Sequence, residues 1–506
     1  MPWYLVLLSI MGTQASAITF LSAPGQAYTD GMRFVQYYFG LPLAMIVICI
    51  FFVPVFRKLK VYTAYEFLEN RFDVKTRTFT SALFLISRGL STGISIYAPS
   101  IILSSLLGWN IYYTNLVMGG LLIIYTMTGG AKAVAYTQQL QLIIIIAGMF
   151  LAGYMVVHLL PEGMGFTEAL KSAGQTGKMN IITNGMKGNH FDWKDKYNIW
   201  SGVIGGFFLA LSYFGTDQSQ VGRYLTAKND KGSKIGLLMN GMIKVPMQFL
   251  ILLVGVLVFS FYQYHKAPVY FDDAVVTTAK KTTYKDSLIV LEQQYNIATV
   301  NQNVTKQNEI RAQYKSIIKK ALPGQDANDT NYIFLRFVVD NLPKGLVGLL
   351  IAMIFLASWG SIAAALNALA SCTVVDFHKK FINKTCTEEK DYSISRWYTF
   401  GWGIFCIIIA MFAQNIGNSL IEAVNILGSL FYGIILGIFL VAFWIKHVRG
   451  NAVFTAAVIA QLLIFVIYKL DIISFLWLNV IGAVLVIVLS LLLQPLMPGS
   501  KKTVSE

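Results

Sequence analysis

Long stretches of this chain contain no Asp, Glu, Lys or Arg, among them residues 1–29, 34–56, 89–131, 133–161, 345–375, 397–421 and 423–445. A helix crossing the hydrocarbon of a bilayer needs about 20 apolar residues. Several of these runs therefore hold one crossing, and 89–131 holds two. Charged residues make up 13% of the chain, against about 25% in soluble domains. These facts exclude intrinsic disorder, a disulfide framework and a soluble multidomain enzyme. The fold class is an all-α polytopic membrane protein.

Twelve spans are expected, at roughly 3–24, 34–56, 79–107, 111–129, 135–160, 197–216, 237–263, 345–376, 397–414, 419–445, 450–468 and 472–494. Basic residues fix their orientation, because short cytoplasmic loops are enriched in Lys and Arg. Arg57, Lys58, Lys60, Arg71, Lys75 and Arg77 follow the second span, and Arg223, Lys228, Lys231 and Lys234 the sixth. Lys379, Lys380, Lys384, Lys390 and Arg396 follow the eighth, Lys446 and Arg449 the tenth, and Lys501 and Lys502 end the chain. The opposite short loops (25–33, 108–110 and 415–418) carry only Asp30 and Arg33. Both termini are thus expected in the cytoplasm of a cell-membrane protein. The formal charge of +15 reflects this loop bias and implies no nucleic-acid partner.

Residues 161–196, with the turn-rich TNGMKGNHFDWKD, read as an irregular outer loop. Residues 265–344 read as a polar outer insert with helical periodicity, a small extracellular cap. The first segment has no basic leader and runs into TQASAITFLSAPGQ, so no cleavable signal is expected.

No HExxH, GxSxG, Walker or GxGxxG motif occurs. His158, His190, His265, His378 and His447 sit singly, and Cys49, Cys372, Cys386 and Cys406 form no CxxC pair. No cluster of ionisable groups is expected within the spans, and the chain is not read as an enzyme. What stands out is polar, helix-breaking sequence inside the first span, with Gly12, Thr13, Gln14, Ser16 and Thr19, and again at the end of the sixth, LSYFGTDQSQ. Unwound backbone in lipid is tolerated only where it lines a cavity or binds an ion. Interrupted helices at matching positions of two halves point to a transporter with inverted repeats. In the eighth span Ala357, Gly360, Ser361 and Ala364 share a helical face. That face serves close packing or, through Ser361, donates an oxygen to a cation.

Five words of the sequence carry a family resemblance: PVFRKLKVYTAYEFLENRFD, GISIYAPSIIL, YTMTGGAKAVAYTQQLQ, FGTDQSQVGRYLTAKN and GLVGLLIAMIFLASWGSIAAALN. From Pro2 to about Lys446 the chain resembles the sodium:solute symporters, which include the sodium–glucose, sodium–iodide, sodium–multivitamin and bacterial sialic acid transporters. The resemblance implies a LeuT-like fold of two inverted five-helix repeats, residues 1–160 and 197–445. These are joined by the outer loop 161–196, carry the insert 265–344 in the second half, and are followed by two C-terminal helices and a tail at 446–506. Family members usually carry one more helix ahead of this core. Here Met1 directly precedes the PWY that opens it, as a truncation or an internal start codon would leave it.

The resemblance also implies site residues. The conserved sodium site maps to Gly12 and Ala15 in the first helix and to Ala357, Gly360 and Ser361 in the eighth, with Gly360 replacing one hydroxyl of the usual Ser-Ser pair. Substrate or gating positions map to Ser16, Thr19, Tyr38, Arg88, Ser91 and Tyr213, and Glu422 is a further candidate. Ala210 and Tyr38 stand where the sugar branch has polar ligands, which argues against glucose or galactose. A second sodium found in some members needs a carboxylate where this chain has Gln138, and hydroxyls where it has Gly360, Ala363 and Ala364. Only one sodium per solute is therefore expected. The function implied is sodium-coupled import of a small organic or anionic solute by alternating access, with Na+ as coupling ion. The alternative is a transporter-like solute sensor without net transport.

Overall fold

The structure, a computed structural model, describes residues 1–59, 61–301, 303–323, 327–383, 388–413 and 419–497. Lys60, Lys384, Cys386, the 415–418 loop, Lys501 and Lys502 lie outside them.

The membrane region opens with α1 (Trp3–Gln14) and α2 (Ala17–Asp30), followed by a tight 3-10 stretch, Gly31–Tyr38. Next come α3 (Leu41–Val47) and α4 (Val53–Leu59), joined by a π turn, Ile48–Phe52. A short α5 (Glu66–Arg71) leads to the long α6 (Val74–Leu107) and α7 (Ile111–His158). The outer loop holds α8 (Phe166–Gln175) and a two-stranded hairpin, β1 (Met186–Lys187) against β2 (His190–Phe191). It is thus more ordered than the irregular loop expected for 161–196.

The second half contains α9 (Gly206–Thr216), α10 (Gln218–Leu225) and α11 (Asp230–Tyr264). The polar insert follows as a cap of α12 (Asp273–Ala279), α13 (Lys285–Val300), α14 (Val304–Ala321) and α15 (Ile333–Asn341). The last helices are α16 (Lys344–Cys372), α17 (Glu388–Phe412), α18 (Leu420–Trp444), α19 (Gly450–Lys469) and α20 (Phe475–Leu493). Among the described residues ten helices are long and apolar enough to cross a membrane, and two shorter apolar ones, Trp3–Gln14 and Ser201–Thr216, accompany them.

Several expected boundaries move. The span expected at 34–56 begins as a helix only at Leu41, because residues 31–38 wind more tightly and hold Tyr37 and Tyr38 against Phe34. The span expected at 345–376 continues as a π turn to Ile382. A loop was expected between spans at 111–129 and 135–160, yet α7 is helical throughout. Two parts of it, Ile111–Gly129 and Gln141–His158, are each long and apolar enough to cross a membrane. The first lies antiparallel to α17, with Asn115 bonded to Ala410 O at 3.2 Å and Gly403 against Ile123. The second lies antiparallel to α16, with Gly148 against Met353 and Gln138 bonded to Gly360 O. Trp402 of α17 donates to Thr373 Oγ1 at the end of α16 at 2.9 Å.

Glycines let these helices approach closely, as small residues do in membranes. A Cβ on Gly255 of α11 would lie 2.1 Å from Pro24 O of α2. At one end of the bundle, Asp376 is buried and accepts Arg77 Nε at 2.8 Å, Ser81 Oγ at 2.8 Å and Thr63 Oγ1 at 2.9 Å, which ties α6 to the end of α16. At the outer end, buried Asp329 accepts Phe271 N at 3.0 Å, Arg311 at 3.0 Å and Lys315 at 2.7 Å, which anchors the cap. Burial alone would raise the Asp329 carboxyl, but Arg311 and Lys315 hold it below the ordinary carboxylate range.

Candidate functional site

The first span breaks where its polar sequence predicted. Ala15 has ψ 76° and Ser16 ψ 166°, both non-helical. A continuing helix would send Ser16 N to Gly12 O. Instead Ser16 N donates to Gln14 O at 2.9 Å, so the Gly12 carbonyl loses its usual donor. Gln14 in turn donates to Asn240 Oδ1 of α11 at 3.2 Å, which braces the break.

The sixth span breaks too. Asp217 is extended, with ψ 117°, and its side chain caps α10 by accepting Ser219 N at 2.8 Å and Ser219 Oγ at 2.6 Å. Its other oxygen accepts Tyr432 OH of α18 at 3.1 Å. Arg88 of α6 meets the same carboxylate, Nη2 to Oδ1 at 3.5 Å, donates to Ser219 Oγ, and lies 5.5 Å over the Tyr213 ring. Gln220 donates to Tyr213 OH at 2.7 Å. Arg88 therefore does not snorkel to the inner face. It is held inside by a carboxylate that sequence reasoning had placed only in a polar exit.

Between these two breaks lies a cavity of about 170 Å³. It is lined by all six expected substrate or gating residues, Ser16, Thr19, Tyr38, Arg88, Ser91 and Tyr213, together with Ser361 of α16. Lys244 of α11 also lines it and was not foreseen. The signal was present, since Lys244 is a cation inside the span expected at 237–263, and a charge within a span is a functional candidate by default. It is 3% exposed, and its Nζ lies 5.9 Å over the Tyr38 ring. The expectation of no clustered ionisable groups within the spans is thus corrected: Arg88 and Lys244 line one cavity, and Asp217 pairs with Arg88. Among the described residues no set of three or more His, Cys, Asp or Glu could hold a metal ion.

The expected sodium ligands are brought together unevenly. Ser361 Oγ donates to Ala357 O at 3.0 Å or Ser358 O at 3.1 Å and faces the same cavity as Ser16. Its lone pairs remain available to a hard cation, whose preferred ligands are oxygens. Ala15 and Ala357 are both buried. Gly360 is the exception. Its carbonyl accepts Gln138 Nε2 at 3.0 Å, and Gln138 fills the space between Gly12 and Gly360. Gln138 is fully buried rather than solvated near the cytoplasmic face. Glu422 points away from the cavity to Lys196 of the outer loop.

A family model described as the sodium:solute symporter family matches residues 1–291 and 312–460. The sodium/sialic acid symporter of Aliivibrio fischeri is 25% identical over 503 residues, covering 98% of this chain and 86% of that protein. The sodium-dependent multivitamin transporter of Oryctolagus cuniculus is 28% identical, covering 86% of this chain and 58% of its own length. The sodium-coupled monocarboxylate transporter 1 of Homo sapiens is 27% identical, covering 84% and 59%. The chain thus spans under two thirds of these last two relatives. Among solved structures, a Na+-coupled sialic acid symporter in a substrate-bound outward-open state superposes with a TM-score of 0.78 at 23% identity, covering 99% of this chain and 91% of that one.

Proposed function

The chain belongs to the sodium:solute symporter family and is a sodium-coupled symporter, and from that premise we propose that its cavity carries one sodium and one small organic or anionic solute inward by alternating access. The observation that carries this reading is the break at Ala15–Ser16 opening onto the same cavity as Ser361. Carbonyls released from the helix ladder, including those of Gly12 and Ala15, join the Ala357 carbonyl and the Ser361 hydroxyl as sodium ligands. Gly360 serves by making room rather than by donating oxygen. Sodium held there stiffens the break beside Ser16 and Thr19, so solute and sodium raise each other's affinity by reciprocal linkage.

On this reading the chain crosses the bilayer twelve times in a LeuT-like arrangement. Residues 1–160 and 197–445 form the inverted halves, and both termini are cytoplasmic. The placement of the N-terminus is supported by the Met1 amino group, which donates to Thr226 O at 2.7 Å on the side where Arg57 meets Asp230. Outer contacts, Lys196 with Glu422 and Arg33 with Asp195, would part as the external path opens.

The test is uptake by proteoliposomes from a panel of labelled monocarboxylates, vitamins, sugar acids and iodide, under an inward sodium gradient. Uptake of at least one solute should collapse when choline replaces sodium. Uptake indifferent to that replacement sinks the reading, and sodium-dependent binding without uptake turns it towards a sensor.

A further inference from the structure

Two cations reach the central cavity, and only one is matched. Arg88 is spoken for: Asp217 faces it at 3.5 Å, and its head group also bonds Ser219 and stacks on Tyr213. Lys244 is different. It is 3% exposed, sits inside a membrane-spanning helix and lines the cavity, and among the described residues no carboxylate lies within 4.0 Å of it. Its mapped neighbour is the face of Tyr38, 5.9 Å away, a weak partner for an ammonium group. Burying an unpaired charge costs several kcal/mol. A chain that keeps such a charge beside a binding cavity has a use for an anion there.

Volume sets the size of that anion. A cavity of about 150 Å³ holds a benzene molecule. The cavity here is about 170 Å³, which suits an occupant of about seven non-hydrogen atoms by the same measure. The wall chemistry divides in two. Lys244, Ser16, Thr19 and Ser91 are polar, whereas Leu209, Ala210 and Ile421 are apolar.

We propose that the solute is a small monocarboxylate whose carboxylate pairs with the Lys244 ammonium, while Asp217 withdraws Arg88 from substrate recognition. Lys244 is then the residue that sets substrate charge, and a cavity of about 170 Å³ favours small acids over sugar acids and vitamins. This rests on the symport reading above, but its test separates the two.

Binding of labelled lactate, pyruvate and propionate is measured on the purified full chain in detergent with sodium, beside neutral lactamide and the larger anion sialic acid. The wild type should bind at least one of the three monocarboxylates, and lactate should beat lactamide and sialic acid more than about tenfold, a difference of about 1.4 kcal/mol. Lys244→Gln should abolish the preference for lactate over lactamide, and Lys244→Arg, which keeps the charge, should retain it. The proposal is overturned if none of the three monocarboxylates binds, if sialic acid or lactamide binds more tightly than lactate, if Lys244→Gln keeps the preference, or if Lys244→Arg loses it. Lysine-dependent lactate binding that ignores replacement of sodium by choline would uphold this proposal and defeat the symport reading.

Discussion

Removing the charge of Asp217 is the most informative single perturbation of the inner wall. At 3.5 Å and an effective dielectric constant of about 20, the attraction between Arg88 and Asp217 is about 5 kcal/mol. Part of this offsets the desolvation of both groups. Deleting one partner of a buried pair typically costs about 3–5 kcal/mol, because the other charge is left behind. Asp217→Asn should fall in that range, since Arg88 would keep only the Ser219 hydroxyl and the Tyr213 ring. Arg88→Gln should cost less, because Asp217 keeps Ser219 N, Ser219 Oγ and Tyr432 OH as donors. The double variant Arg88→Gln/Asp217→Asn should be more stable than Asp217→Asn alone. Equilibrium unfolding in mixed detergent micelles, run as a double-mutant cycle, measures this coupling. Additive costs, or a double variant worse than either single one, would refute the account of a mutually compensating pair.

Three further predictions concern the ion site and the cap. Ser361→Ala should weaken the apparent affinity for sodium by at least about tenfold, the scale of one hydrogen-bonding or ligating group, while Gln138→Ala should leave sodium dependence nearly unchanged; sodium titrations of solute uptake check both. Gly360→Ser, which restores a family hydroxyl, should lower thermal stability only modestly, because its Cβ would lie 2.4 Å from Gln141 Oε1, the end of a side chain that can shift, and a thermal-unfolding comparison reads this out. The cap should loosen in acid. The folded Asp329 carboxyl is held low by Arg311 and Lys315 against the effect of burial, so its stabilisation is present above the unfolded Asp value of about 4 and is lost as pH falls through the lower folded value. Hydrogen exchange in α14 and α15 should rise over that range in the wild type, and Asp329→Asn should already show the raised exchange at neutral pH.

The sequence announced the spans because lipid imposes a simple rule, that charge must be absent over a helix length, and long runs such as 423–445 obey it. It also located the first break, since Gly12, Gln14 and Ser16 leave the backbone polar and bendable within a span. What it could not reveal was pairing across distance. Asp217 and Arg88 are far apart in the chain, and nothing local to either one specifies that they meet. Lys244 was readable as a misplaced charge, but its orientation into the cavity depends on how α11 packs against the broken α1. Gln138 looked like a residue near the cytoplasmic end. Its burial follows from two glycines, Gly12 and Gly360, on different helices, which together leave the space it fills.

The most direct test of the account is the solute accumulation reached at equilibrium in proteoliposomes under a fixed sodium gradient, with membrane voltage set independently. One sodium moving with one monocarboxylate carries no net charge. A sodium gradient of about tenfold holds about 1.4 kcal/mol and should support about tenfold accumulation of lactate, or whichever monocarboxylate binds, unchanged by voltage. A second coupled sodium would raise this to about a hundredfold and add about 2.3 kcal/mol per 100 mV of inside-negative potential. Accumulation that follows the sodium ratio to the first power and ignores voltage is the predicted result. Accumulation that follows its square and responds to voltage, or that ignores sodium, would contradict it.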